Sequence, residues 1–360
     1  MLNKKNILPL IASLLGFAFT ACETDINLYT DVKSDQVIVY GVLDCSAKTQ
    51  VIRIGKMIRP DATALDFLSL ATQVQSDSLA VDVQEWANGL YCTYNLPAMD
   101  SQGNSNMTLF EGTFEPYDFM EYKLVVNNKN SGNLIIAKTL PLTDPKILKP
   151  GMNNMACTFS DSLNPFEFKY SVIPRGMIYQ LELRIQYVEF TMQGDTLFKE
   201  GVFAFNPVYV DDPPDYVPTR INYGKDVTRT IPPQYILNIF ARVIPASNSV
   251  ESRILYRFNF TVWAGNNVLR NYIQMGSKYE DNRKQFFSNI IGGYGLFASS
   301  SHIAVTGLRP DDGFLTNLAE SPTTSKLKFK RYLYNGRFSV AKDPLQIFPN
   351  LMNPKSDEGY

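Results

Sequence analysis

The chain is poor in the residues that most often carry chemistry. Its 360 residues include one histidine, His302, four cysteines and two tryptophans. Thiols scattered at positions 22, 45, 92 and 157 cannot supply the closely spaced Cys/His set of a zinc site, and one imidazole offers little for proton transfer. Charge of one sign is lacking too, with 34 Lys and Arg against 35 Asp and Glu. Nucleic-acid binding draws on counterion release by clustered Lys and Arg, and no such cluster occurs. No long apolar run follows position 22, whereas a membrane-crossing helix needs about 20 apolar residues in succession. There is no G-x-S-x-G elbow and no repeat of fixed period. What is abundant is core material: 45% of the residues are apolar and 12% aromatic, enough for one or two cores.

Residues 1–21 read as an export signal. Lys4 and Lys5 form a short positive region, residues 7–19 are mainly apolar, and the segment ends Phe19-Thr20-Ala21-Cys22. This ending resembles the lipobox of bacterial lipoproteins: an apolar residue, two small ones, then cysteine. Phe19 stands where leucine is commoner. The resemblance implies cleavage before Cys22 and a diacylglycerol on its thiol, with each buried CH₂ of the acyl chains adding about 0.8 kcal/mol of anchoring. The alternatives are an ordinary signal peptide with an incidental Cys22, or a short buried helix. Beyond Cys22, three thiols are an odd number and make no disulfide framework, although an exported compartment permits one bridge. Cys92 falls in a strand pattern and reads as a small core residue.

Residues 22–34 are mostly polar and aperiodic, as a tether would be. Strand patterns then begin. Residues 36–43 are a β-branched run, 50–58 another, and 79–86 alternate with Leu79, Val81 and Val83 on one side. Asn88-Gly89 is a strong hairpin turn signal, after which Leu90, Cys92, Tyr94 and Leu96 resume the alternation. A second hairpin joins 122–126 to 134–137 through a polar loop containing Gly132. Six or so short strands without a helix predict an immunoglobulin-like β-sandwich over residues 35–145. Pro141, Pro145, Pro150-Gly151 and Asn153-Asn154 punctuate 141–156 and mark the boundary.

Residues 146–344 predict a larger, mainly antiparallel β domain. Tyr179, Leu181, Leu183, Ile185 and Tyr187 alternate with Gln180, Glu182, Arg184 and Gln186, and Gly194-Asp195 turns the chain into 197–205. A further strand carries Ile254, Tyr256, Phe258, Phe260 and Val262, with Tyr256, Phe258 and Phe260 on the inward side. One or two short helices are expected, one after Pro232-Pro233 with Ile236, Ile239, Phe240 and Val243 on a face, one capped by Asn266. Residues 303–305 and 327–334 read as closing strands, and 345–360 as an irregular tail. The fold class is therefore mainly β.

Three features together resemble a group of uncharacterised Bacteroidota outer-membrane lipoproteins, often encoded beside TonB-dependent transporters. They are the lipobox followed by Val37-Ile38-Val39-Tyr40-Gly41-Val42-Leu43 and Val51-Ile52-Arg53-Ile54, then Tyr122-Lys123-Leu124-Val125-Val126 leading to Ala137-Lys138-Thr139-Leu140-Pro141, and the late segment Phe287-Ser288-Asn289-Ile290-Ile291-Gly292-Gly293-Tyr294-Gly295-Leu296-Phe297. The resemblance implies an Ig-like domain before a β-rich one, an outer-membrane, lipid-anchored location and a binding role assisting a TonB-dependent transporter. The alternative is a structural, assembly or adhesion component without a small ligand. It brings no catalytic residue, cofactor or metal, and Cys22 is the functional residue it contributes. Three Asp-Ser/Thr-Leu triplets resemble the O-glycosylation sequon of exported proteins in the same bacteria and point to Ser78, Ser162 and Thr196.

Other candidates have plainer readings beside them. Gly292-Gly293-Tyr294-Gly295 lacks the strand-before, helix-after setting of a phosphate loop and reads as a turn. His302, preceded by Ser299-Ser300-Ser301, invites a hydrolase reading but has no separate nucleophile elbow, and a structural histidine is the simpler account. Residues 206–230 hold four prolines, an acidic cluster and three tyrosines, without helix or strand period. Tyr209, Asp211, Asp212, Asp215 and Tyr216 are its ligand- or partner-binding candidates, through tyrosine contact area or carboxylates on Ca²⁺. A plain loop excursion is the alternative. Asp311-Asp312-Gly313 reads first as a turn and second as a metal site. The abundant Tyr and Phe are explained by core packing before any carbohydrate platform.

Overall fold

The computed structural model describes residues 37–56, 72–73, 78–99, 107–130, 132–151, 156–211, 226–277, 287–331, 333–334 and 337–338. The expected export signal, tether with Cys22 and C-terminal tail lie outside the described residues.

The N-terminal strands are β1 (Val37–Asp44), β2 (Thr49–Lys56), β3 (Thr72–Gln73), β4 (Leu79–Trp86), β5 (Leu90–Asn95), β6 (Thr108–Thr113), β7 (Glu121–Asn128) and β8 (Leu134–Thr139). The Asn-Gly signal turns β4 into β5, and the order β5-β4-β7-β8 forms one antiparallel sheet. The period-2 pattern turns Leu79, Val81 and Val83 inward. They meet Val39, Leu43, Ile52, Ile54 and Phe110 of β1, β2 and β6 in a shared core. Each such side chain contributes about 1.5–3 kcal/mol by leaving water.

The second module follows with β9 (Ile147–Lys149), β10 (Ala156–Cys157), β11 (Phe166–Ser171), β12 (Ile178–Thr191), β13 (Thr196–Ala204), β14 (Val208–Tyr209) and β15 (Asp226–Ile231). Then come α1 (Pro233–Val243), β16 (Val250–Gly265), α2 (Asn267–Ser277), β17 (Tyr294–Pro310) and α3 (Asp312–Glu320). Strands β13, β12, β16 and β17 pair antiparallel, and a small sheet β15-β11-β9 lies over their inner face. The core between them holds Phe166, Phe168, Phe258, Phe260 and Tyr179, joined by Phe240 from α1 and Phe314 from α3.

Strand β17 belongs to both modules. Its first half pairs in parallel with β1, from Ile38↔Tyr294 to Asp44↔Ser300, and its second half pairs with β16, from Gly265↔Ser300 to Phe258↔Leu308. The result is a single ten-stranded sheet running through the whole molecule. Two side chains from beyond the range 35–145, Ile290 and Phe297, pack in its core. Alternation in sequence tells which residues face inward but not which distant strand supplies the neighbouring edge.

Other expectations are adjusted. A third helix, α3, starts at Asp311-Asp312-Gly313. The Asp311 carboxylate accepts the N–H of Phe314 at 2.8 Å and of Ser160 at 3.1 Å, so it is an N-cap rather than a turn residue. In β16, Tyr256 is the extra residue of a bulge, placed where Gln186↔Arg257 gives way to Tyr187↔Leu255. The inward phase consequently shifts: Phe258 and Phe260 are fully buried, Leu255 is buried below them, and Tyr256 is half-exposed. Residues 303–305 are part of the long β17, and Leu327 ends a short 3-10 turn, Ser325–Leu327, rather than opening a strand. Asn266 does cap α2, its side chain accepting the Leu269 N–H at 3.1 Å.

Candidate functional site

The two modules meet around Ser300, where β1 ends and β16 begins to pair with β17. The junction is tied by buried and half-buried polar contacts. Ser299 and Ser301 donate to the carbonyls of Leu140 and Thr143, Asn266 donates to Thr139, and Arg175 donates to the Asp118 carbonyl at 2.7 Å. On the outer face of the common sheet, helix α2 spans this seam.

Two groups of side chains gather there. The first is centred on Arg270 of α2. Its guanidinium lies 6.0 Å over the ring of Tyr209, donates to the Val210 carbonyl and pairs with the Asp211 carboxylate. Tyr209 is placed by pairing of β14 with Ile178 of β12. Two residues further along the helix, Tyr272 meets Tyr40 of β1 edge-on at 6.0 Å, and burial pushes the Tyr40 hydroxyl well above the ordinary phenol range. One helix thus holds a strand of each module.

The second group surrounds His302. Its ring lies 4.3 Å from the Trp263 indole, and Nδ1 is 3.3 Å from the Asp44 carboxylate. Its backbone N–H donates to Ser46 Oγ at 2.7 Å, and that hydroxyl donates to Asp144 at 2.6 Å. Buried Gln50 completes the β1–β2 turn, donating to the carbonyls of Asp44 and Ala47. Among the described residues no hydroxyl hydrogen-bonds to the imidazole. The serines before His302 anchor the linker instead, and the histidine stitches β1 to β17. The chemistry on this face is hydrogen bonding, ion pairing and aromatic stacking.

Of the predicted binding residues, Tyr209 and Asp211 flank Arg270, while Asp212, Asp215 and Tyr216 lie outside the described residues. The stretch 206–230 is also shorter as a loop than expected, since β14 and β15 take its two ends. Asp211 is committed to Arg270, and among the described residues no three His, Cys, Asp or Glu side chains gather for a metal ion. Ser162 is exposed in a turn where the Asn164 side-chain amide, then the N–H groups of Asn164 and Leu163, donate to Asp161 and hold its carboxyl below the usual range. Thr196 is half-exposed at the start of β13. Ser78 is 8% exposed, less open than Ser162 or Thr196. Arg270, Tyr272, Trp263, Asp44 and Ser46 were not singled out from sequence. The Asn266 cap located α2, but only the β1–β17 pairing brings that helix onto β1.

No family model matches the chain, and no curated protein does. Solved structures with some similarity include the C-terminal globular domain of an oligosaccharyltransferase from Pyrococcus abyssi, at 9% identity and a TM-score of 0.19, covering 76% of this chain and 48% of that one. A tetra-tandem repeat from the extending region of a large adhesion protein gives 9% and 0.17, covering 76% and 50%. A cytokine receptor complex gives 10% and 0.18, covering 75% and 96%. The chain thus spans about half the length of the first two. Likeness at this level carries nothing about what the chain does.

Proposed function

We propose that this protein is a lipid-anchored binding or accessory protein of the cell envelope, without enzymatic activity. It is held to the outer membrane through Cys22 and assists a TonB-dependent transporter in capturing its ligand. The observation that carries the reading is the N-terminal segment, with its basic start, its short apolar run and the Phe19-Thr20-Ala21-Cys22 ending. The fold is compatible with that anchor. The chain enters the sandwich at Val37, the end of β1 remote from the junction at Asp44. Eight residues at about 3.3 Å each put the Asp44 end of β1 roughly 25 Å from Val37. No helix among the described residues is long and apolar enough to cross a membrane.

The second reading, a structural or adhesion component without a small ligand, is favoured by one observation: the continuous sheet makes the two modules a stiff spacer. Metabolic labelling with a fatty-acid probe tests the anchor. The wild type is expected to take the label and Cys22→Ser to lose it, and an unlabelled wild type would remove the basis of the proposal. Affinity purification from native membranes then separates the two readings. Recovery of a β-barrel transporter supports the accessory role, and its absence, with a general envelope defect on deletion, supports the structural one.

A further inference from the structure

We propose that residues 287–300 are a built-in closing strand: the N-terminal sandwich completes its fold only when this segment docks onto it from the second module. Without the segment, β1 would have β2 on one side and an unpaired row of N–H and C=O groups on the other. The core would also be short of two large side chains. Phe297 is fully buried and Ile290 is 7% exposed, both within the N-terminal cluster. Gly41 matches this arrangement, because a Cβ there would lie 3.0 Å from the Phe297 ring and 2.5 Å from Ile52.

The segment grips both sheets. Ile291 exchanges two backbone hydrogen bonds with Ile136 of β8, at 2.9 and 2.8 Å, while Tyr294 to Ser300 run along β1 in the opposing sheet. Its shape is held from within. The Asn289 amide donates to the Phe297 carbonyl at 2.8 Å and accepts the Phe297 N–H at 2.9 Å, and Ser288 Oγ accepts the N–H of Gly295 at 3.1 Å. Gly295 has φ +115, and a Cβ on it would sit 1.9 Å from the Val39 carbonyl oxygen, so the approach to β1 needs glycine. The contacts with β1 join residues 256 positions apart and that with β8 joins residues 155 apart, and loop closure makes them late to form. The N-terminal module is thus folded conditionally on the second, and the two lose structure together.

Hydrogen exchange on the full-length protein tests this. Amides of β4 and β7, which do not touch the segment's backbone, are expected to become exchangeable only in the same opening that exposes 294–300. Protection of β4 and β7 that outlasts the release of 294–300 would overturn the proposal. The two tryptophans supply an independent reading, since Trp86 lies in the first module and Trp263 in the second. In full-length chains keeping only Trp86 (Trp263→Phe), Asn289→Ala is expected to lower the urea midpoint reported by Trp86. An unchanged Trp86 midpoint, despite loosened exchange protection at 294–300, would sink the idea. If Asn289→Ala does not fold, the exchange experiment on the unaltered chain decides.

Discussion

The two modules share a sheet but are filled differently. The N-terminal core is largely aliphatic, with Val39, Leu43, Ile52, Ile54, Val81, Val83, Leu124 and Val126. The second is a web of rings: Phe159 lies 4.7 Å from Phe166 and 5.2 Å from Phe258, Phe168 lies 4.9 Å from Phe260, and Phe240 lies 5.6 Å from Phe314. Branched aliphatic side chains suit two facing sheets of short strands. Rings reach further, and fill the wider space where a small sheet and two helices cover a long one. The lesson concerns sensitivity to truncation: a ring removed from the web leaves a larger hole than a methyl removed from the sandwich.

The modules also differ in what holds their margins. In the second, Arg253 is 1% exposed, donates twice to Glu189 and reaches the carbonyls of Leu327 and Pro245. It clasps the chain after α3 against β16, where Lys328 and Lys330 also bond its backbone. In the first, the buried Glu85 carboxylate accepts from Tyr94 at 2.7 Å and its other oxygen has no partner among the described residues.

The largest expected effects are Phe258→Ala and Arg253→Ala, each about 3–5 kcal/mol of destabilisation by urea unfolding, the first from a cavity and the second from leaving Glu189, only 13% exposed, without its fully buried partner. Replacing both members of the pair, Arg253→Met with Glu189→Met, should recover most of the second loss. A pair of single losses that simply add would break this account of the clasp. Ile54→Val in the aliphatic core should cost only about 0.5–1.5 kcal/mol. A cost equal to that of Phe258→Ala would erase the contrast between the cores.

An intermediate effect is predicted at alkaline pH. Burial pushes the Cys45 thiol up to about 12, the nearby carboxylates of Asp44, Asp144 and Asp118 adding to it and the Leu142 N–H opposing it. The unfolded chain releases this proton near the ordinary thiol value, about 8.5. The folded state therefore keeps a proton that the unfolded state has lost, and stability present below about pH 8.5 declines as pH rises towards 12. Melting temperatures of wild type and Cys45→Ala, compared between about pH 8 and 11, should show a shallower decline for the variant. The smallest effect belongs to the exposed Lys138–Glu121 pair, at 2.7 Å on the sandwich surface. Lys138→Gln should change stability by less than about 1 kcal/mol, and that little should vanish in high salt.

Much of the local structure was legible. Alternation located β4, β7 and β12, Asn88-Gly89 located their first hairpin, and Asn266 and Pro232-Pro233 located two helix starts, because these signals act within a few residues. The third helix was missed because its cap, Asp311, follows Pro310 and precedes Gly313, a composition that also describes a turn. The phase shift at Tyr256 was missed because a bulge depends on the partner strand. Tyr209 and Asp211, which flank Arg270, were singled out through the composition of their loop. Their counterpart Arg270, and the seam it helps to close, were not.

The amino-acid order alone determined the strand periodicity and the apolar stock of two cores, since each rests on near neighbours in the chain. Only the tertiary structure decided that one late strand would serve both modules and lay α2 across their seam. Edge pairing between β1 and β17 joins segments too far apart for any local pattern to record, and it is chosen by which edges remain free once the nearer hairpins have formed.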